Sequence, residues 1–338
     1  MKYSCFRAFK GGRILLFVFL FLAGFLLYQN IKPEPASSRR IKRDVAVAGR
    51  TVGGMTAEEA EVVINELAGA MHIPPVDAFV DTATGGVVAD LNGLAIAVEE
   101  TLQKLLVAEE GEEVTPAFRQ IPAKVTLSDL PLHPIYRGNP EKRQVVFLIN
   151  VAWGNEYLKG LLDVLQEEKS QATFFLTGRW VNGNPKEARL ISEAGFEIAS
   201  HGYSDALSMG QAEMAVIEED MDKSIQVIKE VCGVDSLYIS THKGELSPSV
   251  LQAAADRKLR VIMWTLDTVD WRLPGVQAML DKIIPAADNG NLILMHPTSQ
   301  TAAFLRQAIP ALREKGLEPV NLSQLLNPFR NIGSDTPW

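Results

Sequence analysis

Cysteine and positive charge are both scarce in this chain of 338 residues. Its two cysteines, Cys5 and Cys232, are too few for a disulfide framework. They also fall on opposite sides of a predicted membrane segment, so we expect no bridge between them. The formal net charge is -8. Because a phosphate-binding surface needs a concentrated basic face, this acidic balance argues against a nucleic-acid partner.

The chain also lacks a small-x-small cleavage site after its one long apolar run, Ile14–Tyr28. The run carries no charge and follows four basic residues, Lys2, Arg7, Lys10 and Arg13. A membrane span takes about 20 residues, and Gln29–Ile31 extend the run towards that length. Because a cleaved signal peptide would end in small residues, residues 14–31 are predicted to be an uncleaved signal anchor.

The anchor predicts a single-pass membrane protein with residues 1–13 in the cytoplasm and the bulk of the chain outside it. The positive-inside signal is nearly balanced, because a second basic group follows the span: Arg39, Arg40, Lys42 and Arg43. A short N-terminal hairpin anchor that leaves the bulk of the chain in the cytoplasm is therefore the open alternative.

A polar, proline-containing linker over residues 32–44 leads to a predicted small α+β domain at residues 45–127. Thr56 and Glu59 form a capping-box pattern that begins a helix, and a second helix is predicted near Val98. The stretch from Ala48 to Ala60 resembles the start of small peptidoglycan-binding domains found outside the membrane in Gram-positive bacteria. This resemblance favours an extracytoplasmic location.

Apolar runs alternate with amphipathic stretches over residues 142–327, which predicts a parallel sheet with crossover helices. The runs lack a two-residue alternation, as expected for strands covered on both faces. The number of repeats favours a β/α barrel over an open sheet. The predicted strands are Val145–Ile149, Ala172–Leu176, Glu197–Ser200, Leu237–Ser240, Arg260–Thr265, Asn291–Met295 and Pro319–Leu322, and the predicted helices are Glu156–Glu167, Pro185–Ala194, Gln211–Val231, Ser247–Ala255 and Thr301–Lys315.

The ends of these strands, taken in order, resemble the motifs of the polysaccharide deacetylase family (carbohydrate esterase family 4). The similarity runs through most of residues 142–327, in the stretches Val145–Tyr157, Ala172–Gly178, Glu193–Ser204, Ile262–Trp271 and Leu292–Thr298. The form of the first motif, Asn150–Tyr157, resembles a sporulation-associated branch of the family in endospore-forming bacteria.

This resemblance implies an α/β fold, a deformed (β/α) barrel, preceded here by the anchor and the small α+β domain. Active members are metal-dependent N-deacetylases of N-acetylglucosamine or N-acetylmuramic acid in chitin or peptidoglycan. Their chemistry uses an aspartate and two histidines on a divalent metal. A carboxylate base deprotonates the metal-bound water, and a histidine protonates the leaving amine.

The base and metal positions of that family pattern are altered in this chain. Asn150 takes the place of the base and cannot accept a proton at neutral pH. Val151 takes the place of the metal carboxylate and has no lone pair to offer. His201 keeps the first imidazole ligand, whereas Asp205 stands where the second imidazole is expected.

The third motif is altered and the last two persist. His242, followed by Lys243, replaces the arginine and proline framework of the third motif. Asp270 would orient His296, and His296 would be the general acid. Loss of the base alone typically costs about 10²–10⁴-fold in rate, so we expect the family reaction not to run here. No cofactor is expected, with zinc or another divalent metal on His201 and Asp205 as the alternative.

Several of these residues also have structural interpretations that the sequence leaves open. His201 has the alternative of a buried, hydrogen-bonded histidine. Asp205 has the alternative of a cap on a helix beginning near Ser208. Trp153 and Trp271 are either core aromatics or, together with His242, contacts for a sugar ring, because aromatic faces suit the apolar faces of pyranoses.

Three functional hypotheses follow. The first is a membrane-anchored protein directed at cell-wall glycan that keeps a glycan- or partner-binding role without the deacetylation reaction. The second is a working metal-dependent N-deacetylase with a metal site rebuilt from His201, Asp205, His242 and His296. The third is a structural partner in spore envelope assembly.

Overall fold

The computed structural model of the chain describes residues 39–333. The predicted N-terminus at 1–13, the signal anchor at 14–31 and most of the linker lie outside the described residues. Between residues 39 and 333, no helix combines the length and the apolar character needed to cross a membrane.

The strands of the described chain are, in order, β1 Ala46–Val47, β2 Arg50–Thr51, β3 Phe79–Val80, β4 Val87–Val88, β5 Gly93–Ile96, β6 Glu113–Val114, β7 Phe118–Ile121, β8 Gln144–Val151, β9 Thr173–Leu176, β10 Glu197–Ser200, β11 Tyr238–Ile239, β12 Arg260–Val261, β13 Leu266–Asp267, β14 Leu292–Met295 and β15 Glu318–Val320. The α-helices are α1 Ala57–Ala70, α2 Val98–Val107, α3 Asn155–Glu167, α4 Gly178–Gly183, α5 Pro185–Glu193, α6 Met214–Cys232, α7 Pro248–Asp256, α8 Val276–Ala286, α9 Thr301–Glu314 and α10 Leu322–Leu326.

Residue contacts divide the chain into two compact units. Among the described residues, the smaller unit contains residues 39–72 and Ile96–Arg119, and the larger one contains Ile73–Ala95 and residues 120–333. The predicted domains at 45–127 and 142–327 divide the chain at other points and stay a prediction.

The smaller unit packs α1 and α2 around one apolar core. Its strands β1, β2 and β6 form a sheet in which β1 runs antiparallel to β2 and parallel to β6. The predicted capping box at the start of α1 is confirmed: the Thr56 hydroxyl accepts from the Glu59 amide, and the Glu59 carboxylate accepts from the Thr56 amide.

The larger unit is built on a parallel sheet with the strand order β12-β11-β10-β9-β8-β14-β13 within the described residues. Strand β15 also pairs with β8, alongside Gln144–Val146. Helices cover the outside of this sheet, and an apolar cluster that includes residues of α3, α5, α8 and α9 fills the space between them. The predicted alternation of strands and crossover helices is therefore confirmed.

Side chains of β8 alternate between two cores. Val145, Phe147, Ile149 and Val151 belong to the outer cluster beneath the helices. Val146 and Leu148 belong to a second cluster on the inner face of the sheet. Because successive side chains of a strand point to opposite faces, both faces of this strand are buried, which explains its continuous apolar sequence.

The two edge strands of this sheet, β12 and β13, do not pair with each other in the described chain, so strand pairing does not close the barrel. An irregular segment lies between these edges instead. Ile135 bridges to Ile262, just after β12, and Arg137 bridges to Asn291, just before β14. The sheet is therefore a curled, incomplete barrel.

The predicted strand Arg260–Thr265 is wrong in its second half. Strand β12 ends at Val261, and the Met263 amide donates to the carbonyl of Ile135 in the closing segment. The chain then starts the separate strand β13 at Leu266, next to β14. The apolar run therefore contains β12 and the segment that crosses the gap in the barrel, and β13 begins directly after it.

Gly154 forms the turn between β8 and α3. Its φ is +85°, in the left-handed region, and a side-chain carbon here would collide with the carbonyl of Pro297. Gly160, inside α3, has open space around it. A side chain is therefore unfavourable at position 154 and has room at position 160.

We expect Gly154→Ala to lower the free energy of unfolding by about 2–4 kcal/mol, because a left-handed conformation and a steric clash add to each other. The matched variant Gly160→Ala should raise it by about 0.5–1 kcal/mol, because alanine is the better helix former. Urea unfolding of both variants measures the difference. Equal effects of the two substitutions would contradict the geometry of the turn.

Candidate functional site at the carboxyl ends of the strands

The predicted site residues follow the carboxyl ends of neighbouring parallel strands. Asn150 is the penultimate residue of β8, His201 follows β10 directly, and His296 follows β14 directly. His242 and Asp270 begin short 3-10 turns after β11 and β13. The parallel sheet therefore brings residues from distant parts of the sequence to one end of the barrel.

Two adjoining cavities open at this end. The larger has a volume of about 600 Å³ and is lined by Asn150, Trp153, His201, Lys243, Trp264, Asp267, Trp271, Leu294 and His296. The smaller has a volume of about 230 Å³ and is lined by Asn150, Ala152, Trp153, His201, Asp205, His242, Lys243 and His296. The predicted site residues thus meet around one mouth, with Asp270 behind His296.

Asn150 lies at the junction of the two cavities. It shares the inner face of β8 with Val146 and Leu148, and only 6% of its surface is exposed. Its side-chain oxygen is buried and has no hydrogen-bond partner. A buried polar atom without a partner is costly, so this oxygen does not stabilise the fold.

Val151, at the position of the metal carboxylate, does not line either cavity. Its side chain is fully buried in the outer cluster beneath the helices, with Ile149 and Phe147 on the same face of the strand. The carboxylate of the family pattern is therefore replaced by a residue that contributes to the outer core of the barrel.

His201 is held in one tautomer by its surroundings. Its Nδ1 lies 2.8 Å from the carbonyl oxygen of Ser240, and since a carbonyl can only accept, Nδ1 carries the proton and Nε2 carries the lone pair. Burial and the neighbouring His242 ring together lower the pKa of His201 well below its usual value. Its side chain is thus the buried, hydrogen-bonded histidine of the structural interpretation, and it also lines both cavities. Contact of His201 with a metal or ligand stays a prediction.

His242 lies edge-on to His201, with 4.2 Å between the ring centroids. Its Nε2 is buried and has no hydrogen-bond partner. Burial lowers the pKa of His242, although the carboxylates of Asp205 and Glu245 oppose that shift. Two imidazoles with lowered pKa values therefore lie side by side in the wall of the smaller cavity.

The helix-cap interpretation of Asp205 is wrong. The 3-10 helix that follows begins at Met209, and its N-cap residue, Ser208, makes no side-chain cap hydrogen bond. Asp205 lies instead at the exposed edge of the smaller cavity, where its charge acts on His242.

The loop that carries Asp205 is held by two other acids. Asp220 of α6 accepts from the amides of Tyr203 and Ser204, at 2.7 and 3.2 Å. Glu245 accepts from the hydroxyl of Ser208 at 2.8 Å. Burial raises the pKa of Asp220 in spite of these amide donors. The loop is thus held on both sides of Asp205 by contacts that do not use its carboxylate, and Asp205 itself lines the smaller cavity.

Asp270 and His296 form the ordered pair expected of the last two motifs. The carboxylate of Asp270 is fully buried, and its Oδ1 lies 2.9 Å from Nδ1 of His296. Its Oδ2 accepts from the backbone amide of His296 at 2.7 Å. These contacts fix the imidazole ring and direct its Nε2 towards the cavities. Asp270 therefore orients His296 as the last two motifs lead us to expect, whereas the role of His296 as general acid stays a prediction.

The two tryptophans proposed as sugar contacts are surface residues, so the core interpretation is wrong for both. Trp153 and Trp271 are 44% and 51% exposed and line the larger cavity. Trp153 stacks on the imidazole of His296 with an interplanar angle of 8°. The guanidinium of Arg272 lies 4.5 Å above the ring of Trp271. Both rings therefore frame the mouth of the larger cavity.

The donor set does not fit the family's metal site. Among residues 39–333, no three histidine, cysteine, aspartate or glutamate side chains lie close enough together to hold one metal ion. Of the aspartate and two histidines in the family pattern, His201 alone remains in place, because Val151 points outward and Asp205 stands where the second imidazole belongs.

Sequence reasoning missed part of the wall of the cavities. Lys243 lines both cavities, and its backbone has a left-handed φ of 56°. Trp264 and Asp267 line the larger one. Both lie inside the stretch Ile262–Trp271 that carries the fourth motif, and their closeness to Asp270 in the sequence could have identified them as cavity residues.

Comparisons with known proteins point to the same family as the strand-end motifs. A model of the polysaccharide deacetylase family matches residues 137–262. The uncharacterized protein YlxY of Bacillus subtilis is 36% identical over 239 residues, which cover 71% of this chain and 75% of YlxY. A peptidoglycan-N-acetylglucosamine deacetylase of Bacillus cereus is 27% identical over 176 residues, which cover 50% of this chain and 82% of that protein.

Among solved structures, the chain is similar to BA3943, a CE4 family pseudoenzyme from Bacillus anthracis. The TM-score is 0.72 and the identity is 32%, over 80% of this chain and 96% of the other. A BA3943 mutant with restored enzymatic activity has the same TM-score and an identity of 31%, over 80% of this chain and 99% of the other. The chain therefore belongs to the polysaccharide deacetylase family, carbohydrate esterase family 4.

Proposed function

We propose that this chain binds cell-wall glycan at the mouth of its barrel and no longer carries out the deacetylation of its family. The observation that carries this proposal is Asn150, which occupies the position of the catalytic base with its side-chain oxygen buried and unpartnered. An amide accepts hydrogen bonds but does not take up a proton at neutral pH. The site therefore keeps an oriented acid, His296, without the base that would activate water.

The position of Val151 supports the same conclusion. A carboxylate restored there must turn out of the outer apolar cluster, which this position faces, before it can reach a metal in the cavity. A carboxylate in that cluster would be buried without a partner, which is strongly unfavourable. The loss of the metal site is thus tied to the packing of the barrel.

The glycan-binding part of the proposal rests on the open mouth. A cavity of about 600 Å³ framed by Trp153 and Trp271 suits a pyranose ring, because aromatic faces pack against the apolar faces of sugars. The similarity to a peptidoglycan-N-acetylglucosamine deacetylase supports peptidoglycan as the class of glycan. We further propose that residues 14–31 anchor the chain to the membrane with this mouth on the extracytoplasmic side, as the sequence predicts.

Acetate release from N-acetylglucosamine oligomers should stay at background with zinc, cobalt or nickel added, because Asn150 cannot generate the attacking hydroxide. A coupled acetate assay of the full chain measures this, with an active peptidoglycan deacetylase as the positive control. Metal-dependent release that disappears in His201→Ala would overturn the proposed loss of activity in favour of a rebuilt metal site.

Binding to purified peptidoglycan should weaken by about tenfold in Trp271→Ala, because a stacking surface is lost. The matched control is Phe329→Ala, which removes an aromatic ring that is equally exposed, at 55%, and lines neither cavity. Co-sedimentation with cell-wall material measures the difference. Equal binding by the two variants would show that the mouth is not the glycan site and would leave the third hypothesis, a protein-contact role in envelope assembly, in its place.

The triple variant Asn150→Asp, Val151→Asp, Asp205→His should regain zinc binding, because position 151 is the last residue of β8 and an aspartate there can turn into the cavity to bind the metal. Turnover should stay low, because the third motif remains altered. Without zinc we expect a lower melting temperature, since two adjacent carboxylates, one of them in an apolar cluster, repel each other and lose hydration. With zinc the melting temperature should rise, because the metal binds only the folded state.

Calorimetry with and without zinc measures both changes. Val145→Asp is the matched control, because it places a carboxylate in the same outer cluster far from the strand end, and its loss of stability should not respond to zinc. A triple variant whose melting temperature is equally insensitive would show that the aspartate at position 151 cannot turn into the cavity.

A further inference from the structure

We propose that the smaller cavity selects a protonated primary amine, so that the preferred ligand is a glycan whose amino groups are already free of acetyl groups. This inference rests on the proposed glycan binding and specifies its chemistry. In this view the chain binds the kind of product that its active relatives form, namely a polysaccharide carrying glucosamine ammonium groups.

The first support is the row of acceptors that faces the smaller cavity. His201 donates from Nδ1 to the carbonyl of Ser240, which leaves the Nε2 lone pair on the cavity side. Asn150 is part of the same wall, and the oxygen of its side chain is buried and has no hydrogen-bond partner. Both atoms need a hydrogen-bond donor, and an ammonium group offers three.

The second support is charge. Asp205 places a carboxylate at the edge of the smaller cavity, and Asp267 places another in the adjoining larger one. Against these two acids, Lys243 supplies one cation among the lining side chains. The histidines of the wall add no charge when they are neutral, so the two cavities together favour a positively charged ligand.

The size and spacing of the acceptors distinguish an organic cation from a metal. A zinc ligand must lie about 2.0–2.2 Å from the ion, and no three candidate ligands among residues 39–333 meet that condition together. Hydrogen bonds from an ammonium to its acceptors are about 2.7–2.9 Å long. Acceptors spread around a cavity of about 230 Å³ therefore suit an ammonium group better than a bare ion.

The same acceptors disfavour an acetamido group. The acetyl oxygen needs a donor or a metal, and neither the Asn150 oxygen nor the lone pair of His201 supplies one. The side-chain NH2 group of Asn150, the ammonium group of Lys243 and the indole N–H groups of the lining tryptophans are the donors through which an acetylated sugar would bind instead. The comparison of free and acetylated amines is therefore the measurement that decides between these ligands.

The test is calorimetric titration of the full chain in detergent or nanodiscs with chitosan oligomers and with N-acetylated oligomers of the same length, at a pH where the amines are protonated. We expect the amine form to bind at least about tenfold more tightly, because a charge-assisted hydrogen bond to a buried acceptor is worth that factor or more. Asp205→Asn, an exposed and isosteric change, should remove most of the preference, and Asn150→Ala should reduce it further.

The matched control is Asp281→Asn, which removes an acid on α8 that lines neither cavity. A preference that Asp205→Asn and Asp281→Asn weaken equally would reflect the net negative charge of the chain and would overturn the inference. Binding of acetylated oligomers as tight as that of the amines would also overturn it while leaving the proposed glycan binding intact. Binding of neither oligomer, with peptidoglycan also unbound, would overturn the proposed function itself.

Discussion

The two-residue alternation of β8 is the constraint on which the rest of the barrel depends. Three strands pair with β8: β9 from Leu148 to Val151, β14 from Val146 to Ile149 and β15 from Gln144 to Val146. Held between neighbours, the strand cannot rotate about its axis, so adjacent side chains must face opposite layers. In the described chain Asn150 therefore faces the cavities and Val151 the outer core.

This constraint explains why the pair Asp270 and His296 keeps the family pattern whereas the metal-carboxylate position, Val151, does not. Asp270 and His296 lie beyond the ends of β13 and β14, where their pairing depends on the hydrogen bonds that His296 donates to a buried carboxylate. They keep their arrangement even without a partner base. The metal position, by contrast, now contributes a valine to apolar packing, and packing of that kind resists a return to a charged residue.

The loss of charge at the mouth changes what the site can bind. A metal and two carboxylates would have made a site for an acetyl oxygen and an activated water. In their place the described chain presents an unpartnered amide oxygen on Asn150, two adjacent imidazoles on His201 and His242, and a carboxylate on Asp205. These acceptors are the basis of the proposed preference for a ligand rich in hydrogen-bond donors.

Much of this architecture could be predicted from local pattern. Apolar runs bounded by helical stretches identified the strands, because a strand covered on both faces must be apolar throughout, and strand β10 was predicted with its observed bounds. The motif positions Asn150, His201 and His296 followed from the family resemblance, since each lies at a strand end. The run at Arg260–Thr265 misled the prediction, because an apolar pattern alone cannot reveal that the chain changes partners between β12 and β13.

The sequence by itself determined the residue types at the strand ends, and with them the absence of a proton-accepting base at position 150. Only the tertiary structure decided where those residues point. Three features depend on contacts between segments far apart in the chain. Val151 points outward, the Ser240 carbonyl accepts a hydrogen bond from His201, and Asp205 caps no helix. Those contacts arise when parallel strands align their carboxyl ends, and no local pattern contains that alignment.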